Sequence, residues 1–208
     1  MSAMSLVINE PSPELTYRIV MRLRQLSLVP GSHLEPQQRP DGLKMLLPHR
    51  VFSLSAAAAK HGELAHAAFV AWRFLLATSE KVIGSVEVQA RPEGPAEIST
   101  HFGPLADSTV RAIQVAESTP DLQNHEWELR FLKISPLCLS AIWLSAARSV
   151  IVPLAPAPRW IRAEEAMTES EFIEALRQPS ARPFTLTDRD RSRLGQDPPG
   201  PSTSRTPA

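Results

Sequence analysis

The chain has 208 residues, with 22 basic and 22 acidic side chains and a formal net charge of zero. That balance lacks the basic excess selected by phosphate backbones and anionic bilayers, so neither nucleic acid nor a membrane is expected as a partner. The apolar fraction of 43% suits one domain with its own core. Cys138 is the only cysteine, which excludes an intramolecular disulfide and favours a reducing, cytoplasmic setting.

The first ten residues carry no basic segment followed by an apolar one, so no secretory leader is expected there. We read 1–11 as a flexible N-terminus and 12–178 as a single domain: an N-terminal helix over 12–28, a linker over 29–48 and a core over 49–178. Ser12-Pro13-Glu14 supplies an N-cap, a proline at the first helical position and an acid near the positive dipole end. Leu15, Ile19, Leu23 and Leu26 then form one apolar stripe, which Pro30-Gly31 ends. The linker holds a turn at Pro40-Asp41-Gly42. Two short strands are expected over Leu43–Leu47 and Val51–Leu54, followed by a short helix in the alanine run after Ser55 that stops near Gly62.

Val70, Trp72, Phe74 and Leu76 alternate with a mixed set, and Val82–Gln89 is rich in β-branched residues. With the polar turn at Thr78–Lys81 between them, the two runs predict an antiparallel hairpin. A Pro/Gly loop covers Arg91–Ala96. Gly103-Pro104 opens a helix whose inner face is Leu105, Thr109, Ile113 and Ala116, closed by Thr119-Pro120. Trp127, Leu129 and Phe131 alternate with Glu126, Glu128 and Arg130, a strand with one wet face that loses phase at Phe131-Leu132. Ser135-Pro136 repeats the cap-then-proline pattern, so Leu137–Ala146 reads as a short buried helix, with a strand as the alternative. The apolar run Ile134–Ala147 is too short to span a bilayer. Ser149–Leu154 reads as a buried strand, and Thr168 to Glu171 has capping-box spacing before a last helix. Residues 179–208, rich in Pro, Ser, Thr and Arg, read as a disordered tail.

The expected architecture is α+β: a mainly antiparallel sheet of four or five strands with helices packed mainly on one face.

Candidate chemistry is sparse. His61 and His66 are five residues apart with Glu63 between them, a spacing that converges on neither a helix nor a strand, so no metal is expected. Cys138 lies between Leu137 and Leu139, where a buried thiol is inert. Ser99 and His101 share a strand face, but no oxyanion-hole motif accompanies them, and Gly84-Ser85 lacks the second glycine of a nucleophile elbow. Eight glycines contain no dinucleotide or phosphate-loop motif, and no cofactor is expected. Glu126 and Glu128 share their face with Arg130, which points to a surface ion pair before a carboxylate dyad. Trp72 and Trp127 fall on apolar strand faces and are expected in the core.

Trp160, after the proline-rich connector, and Trp143 are the candidate interface residues. The expected function is a non-catalytic protein-interaction or accessory module of a bacterial cytoplasm, its partner a protein (itself or another). The alternatives are a small hydrolase whose polar site assembles only in the fold, and a structural subunit of a larger assembly.

Overall fold

The computed structural model describes residues 4–27, 43–62, 64–90 and 97–177. In chain order its elements are β1 (Ser5–Val7), α1 (Pro13–Ser27), β2 (Lys44–Ser53), α2 (Ala56–His61), β3 (Ala68–Ala77), β4 (Val82–Gln89), β5 (Ile98–Phe102), α3 (Pro104–Ser118), β6 (Glu126–Ile134), β7 (Leu139–Ser145), β8 (Ser149–Pro153), β9 (Met167–Thr168) and α4 (Glu169–Arg177). The expected turn at Pro40-Asp41-Gly42, the Arg91–Ala96 loop and the 179–208 tail lie outside the described residues.

The nine strands form one mixed sheet ordered β5-β4-β3-β2-β6-β7-β8-β9, with β1 beside β6. This corrects the expected antiparallel sheet of four or five strands. Both β1 and β2 run parallel to β6, β1 along Glu126–Glu128 and β2 along Arg130–Lys133. The remaining neighbours are antiparallel.

The missing strands have separate causes. β2 reads as two pieces because Pro48 lies inside it, where Leu47 takes a φ of 49° and the register with β3 shifts between Leu46 and His49. Such an irregularity lets one strand carry a proline that would otherwise break the ladder. β7 replaces the helix expected over Leu137–Ala146. Ser135-Pro136 opens only a 3₁₀ turn that ends with Cys138 in the left-handed region, φ 48°. The chain then runs extended, with Ile142 and Leu144 buried on one face and Ala141 and Trp143 on the other. A strand covered on both faces is apolar throughout and loses its alternation, which makes it look like a buried helix in sequence.

Helices cover both faces, not mainly one. Directly opposed residues on neighbouring strands share a face, and the register therefore sorts the core. Val51, Ala71, Leu75, Phe131, Ile142 and Val152 meet Ala112, Ile113 and Ala116 of α3 on one face. On the other, Trp143, Ile151 and Met167 meet Phe172, Ile173 and Leu176 of α4 and Ala59 of α2. Farther along that second face, Ile19 and Leu23 of α1 pack on Phe74, Leu76, Val86 and Val88. Phe131 and Leu132 lie back to back in the sheet and are both fully buried, which explains the lost phase of β6 as burial from two sides. Trp127 is buried, its Nε1 donating to the Leu122 carbonyl at 3.1 Å. Trp72 is only half-buried, at the rim of the α1 cluster.

Local signals set the helix ends. Ser55 Oγ accepts from Ala58 N–H at 3.1 Å, and Gly62, φ 84°, closes α2. Ser12 Oγ accepts from Leu15 N–H at 3.3 Å to start α1. At α4, the Thr168 N–H and hydroxyl donate to the Glu171 carboxylate at 2.7 and 2.8 Å, while Glu171 N–H donates back to Thr168 Oγ1. These bonds from Thr168 hold the Glu171 carboxyl below its usual range. Replacing Thr168 by alanine removes the cap, and we expect a loss of about 1 kcal/mol. Thermal unfolding should then shift down by about 2–4 °C, and an unchanged midpoint would mean the cap contributes nothing in the folded chain. Among the described residues no helix is long and apolar enough to cross a membrane.

Candidate functional site

Two charged clusters sit back to back, one on each face of the sheet. The first lies on the α3 face. Register places Arg73 opposite both Glu87 and His49. Arg73 is fully buried, with its guanidinium 4.0 Å from the centre of the Phe131 ring and Nη1 donating to Glu87 Oε1 at 2.9 Å. Lys133 of β6 binds the second Glu87 oxygen from a more open position. Burial pushes the Glu87 carboxyl up, but the Lys133 ammonium and then Arg73 outweigh it and hold it below the usual carboxylate range. Burial likewise lowers Arg73, against the pull of Glu87.

His49, beside them, is completely enclosed. Its Nδ1 meets the Leu47 carbonyl, which only accepts, so the proton sits on Nδ1. Burial lowers its pKa to about 4, and the ring is neutral at physiological pH. His49 Nε2, Arg73 Nε and Nη2, and Ser85 Oγ are buried with no hydrogen-bond partner among the described residues.

At the outer end of this cluster, Ser99 Oγ lies 3.2 Å from His101 Nε2 on β5. The strand face that alternation assigns to both residues thus brings them within hydrogen-bond distance. Burial, opposed by Glu87, lowers the His101 pKa, with Lys133 and Arg73 adding to the fall. A hydrolytic relay also needs a carboxylate holding the imidazole. The nearby candidate, Glu87, has both oxygens engaged by Arg73 and Lys133. The geometry is that of a structural ion cluster with a hydroxyl–imidazole pair at its edge.

The second cluster occupies the strip of the opposite face between α1 and the α2/α4 pair. Across it, register lines up Trp72, Arg50, Arg130 and Trp143 on β3, β2, β6 and β7. Glu128 accepts from Arg50 Nε at 2.8 Å through one oxygen and from Arg130 Nε at 2.9 Å through the other. Burial raises the Glu128 carboxyl, but Arg130 and then Arg50 hold it low. One carboxylate thus serves two guanidinium groups, so Arg50, Arg130 and Glu128 together carry a net positive charge. Asn9 Nδ2 donates to the same Glu128 oxygen as Arg50 does, at 2.9 Å.

Aromatic rings surround these charges. Arg130 lies 4.6 Å from the Trp143 ring centre and 5.1 Å from that of Phe52, and Arg50 lies 5.6 Å from Phe52. Phe52 stacks edge-on against Trp143 at 5.3 Å, and Phe69 links Phe52 to Trp72 at 6.0 and 5.9 Å. Phe69 remains 40% exposed and the Arg50 side chain 34%. The sequence placed Glu128 and Arg130 on one face, as the structure does. Arg50 was not singled out, because its approach depends on a parallel pairing between residues far apart in the chain.

The other candidates are dispersed. Trp143, 6% exposed, forms part of the floor of this strip. Trp160 lines a separate depression of about 390 Å³ with Arg162, Met167 and Glu171. The indole N–H groups of both tryptophans have no partner among the described residues. Cys138, expected to be buried, is exposed, because the left-handed corner before β7 turns it outward. His61 ends α2, where its carbonyl accepts from Arg177 Nη2 at 3.1 Å, and His66 is exposed at the end of a 3₁₀ turn whose first residue, Leu64, is buried. Glu63 lies outside the described residues. Among the described residues, no three His, Cys, Asp or Glu side chains group in a way that could hold a metal ion. Glu126 is exposed at the start of β6, apart from the Glu128 ion pairs.

Comparison with known proteins adds no family. No family model, curated protein or solved structure matches the chain.

Proposed function

We propose that the chain is a non-catalytic protein-interaction module, and that its binding surface is the aromatic and guanidinium strip between α1 and the α2/α4 pair. The observation that carries this reading is the shared carboxylate. Arg50 and Arg130 divide Glu128 between them, so these three groups together are net positive, with Arg50 partly exposed and the rings of Phe52, Phe69, Trp72 and Trp143 around them. Aromatic rings and arginines are the residues that carry binding energy at protein interfaces. A guanidinium already oriented by ring contacts and one ion pair loses little freedom when it meets a second carboxylate. The complementary partner is an extended segment with an acidic side chain next to an aromatic or aliphatic one.

The test is selection of a displayed random-peptide library on the full chain. Enrichment of Asp or Glu beside Trp, Phe or Leu is expected, with binding that weakens as salt is raised. Arg130→Ala should lower the affinity of the selected peptides at least about tenfold, the effect of losing one charge-assisted contact. Absence of enrichment, or peptides that bind the Arg130→Ala protein equally well, would overturn the reading.

A further inference from the structure

The sheet ends at β5, and among the described residues no strand pairs with its outer edge. Natural edge strands are normally protected by lysine or other charges, by proline, or by a bulge. The edge Ile98-Ser99-Thr100-His101-Phe102 has no Lys, Arg, Asp, Glu or Pro, and its register with β4 is unbroken from Ile98 to Phe102.

Backbone alternation tells which groups are free. Gln89 N–H donates to the Glu97 carbonyl at 3.0 Å, one step before the Val88–Ile98 pair. In an antiparallel ladder hydrogen-bonded and non-bonded pairs alternate. Glu97, Ser99 and His101 therefore aim their N–H and C=O groups at β4, and Ile98, Thr100 and Phe102 aim theirs outward.

This edge is complementary to itself. We propose that a second copy of the chain adds its own β5 antiparallel to this one, about a two-fold axis at Thr100. The outward residues then fall in register. Thr100 exchanges N–H···O=C bonds with the other Thr100, and Ile98 exchanges them with the other Phe102. On the α1 face the side-chain pairs are Thr–Thr at the centre with Ile–Phe on either side. Such cross-strand pairs are favourable. On the α3 face each Ser99 meets the other copy's His101, a hydroxyl against an imidazole. No like charges oppose one another in this register, which is the isologous arrangement a two-fold interface requires. A short strand pair buries little surface, so the dimer is reversible and dependent on concentration. Because the axis is normal to the sheet, both aromatic strips face the same way. A bivalent partner could then engage both. That consequence rests on the function proposed above, whereas the pairing does not.

The test is sedimentation velocity of the full chain over a wide concentration range. A species of twice the 22.9 kDa chain mass is expected to grow with concentration. Thr100→Lys places two ammonium groups directly opposite and should weaken the dimer at least about tenfold. Mixing Thr100→Lys with Thr100→Glu should restore it as a heterodimer. Thr100→Pro removes an outward N–H without touching the β4 ladder, and it gives the same readout should the charged variants fail to fold. A chain that stays monomeric at every concentration overturns the proposal. So does a dimer indifferent to Thr100→Lys, or a mixture of folded charge variants that does not reassociate.

Discussion

Replacing Glu87 by leucine is expected to destabilise the protein by about 3–5 kcal/mol, the range measured when one partner of a buried ion pair is deleted. Arg73 has no exposed surface, and its Nε and Nη2 find no acceptor among the described residues. Glu87 is thus the counter-charge and the hydrogen-bond acceptor that the structure gives it. The Phe131 ring beneath the guanidinium is an aromatic contact worth far less than a lost counter-charge. Against the usual total of about 5–15 kcal/mol, the loss is a large fraction of stability. Urea unfolding measures it. The diagnostic comparison is Arg73→Met combined with Glu87→Leu, which should recover much of the deficit because no unpaired guanidinium remains inside. A Glu87→Leu protein within about 1 kcal/mol of the parent would mean that Arg73 reaches water in the folded chain, contrary to its burial here.

How far such features could be read in advance depended on whether their causes were local. Ser12, Ser55, Gly62 and the Thr168–Glu171 box act within one helical turn, and each helix end they announce is present. The hairpin of β3 and β4 was equally legible, since its alternation is clean and its partner follows at once. β7 stood only as the alternative to a helix, because burial on both faces makes the run Ala141 to Leu144 continuously apolar and erases the period there. β1 and β5 are short, and β1 acquires meaning only from β6, more than a hundred residues later. The same distance hid the site. Glu128 and Arg130 reveal their common face by alternation within one strand. Arg50 joins them only through the parallel pairing of β2 with β6.

Cys138 teaches a related lesson. Its leucine neighbours suggested burial, but at a left-handed corner adjacent residues point apart, and sequence proximity says little about exposure.

His49 should make the protein acid-labile in a window set by its own titration. In the folded chain its pKa falls from 6.5 to about 4, mainly through burial. Between these values the unfolded chain binds the proton and the folded chain does not, so stability rises with pH across the interval. Above 6.5 the contribution is constant; at about pH 4 and below it has been lost in full. The shift corresponds to about 3 kcal/mol. Glu87 acts in the same direction but lower, since its depressed carboxyl gives stability that disappears as pH falls below the ordinary carboxylate range. The two effects therefore separate on the pH axis. Urea midpoints taken from about pH 7 down to about pH 4 should fall more steeply for the parent than for His49→Asn, whose side chain keeps a donor for Leu47 but does not titrate. The difference between the two profiles should be level above 6.5 and close steadily as pH approaches 4. Parallel profiles would show that His49 takes up its proton without opening the sheet, and that the enclosure seen here relaxes around a charged ring at little cost.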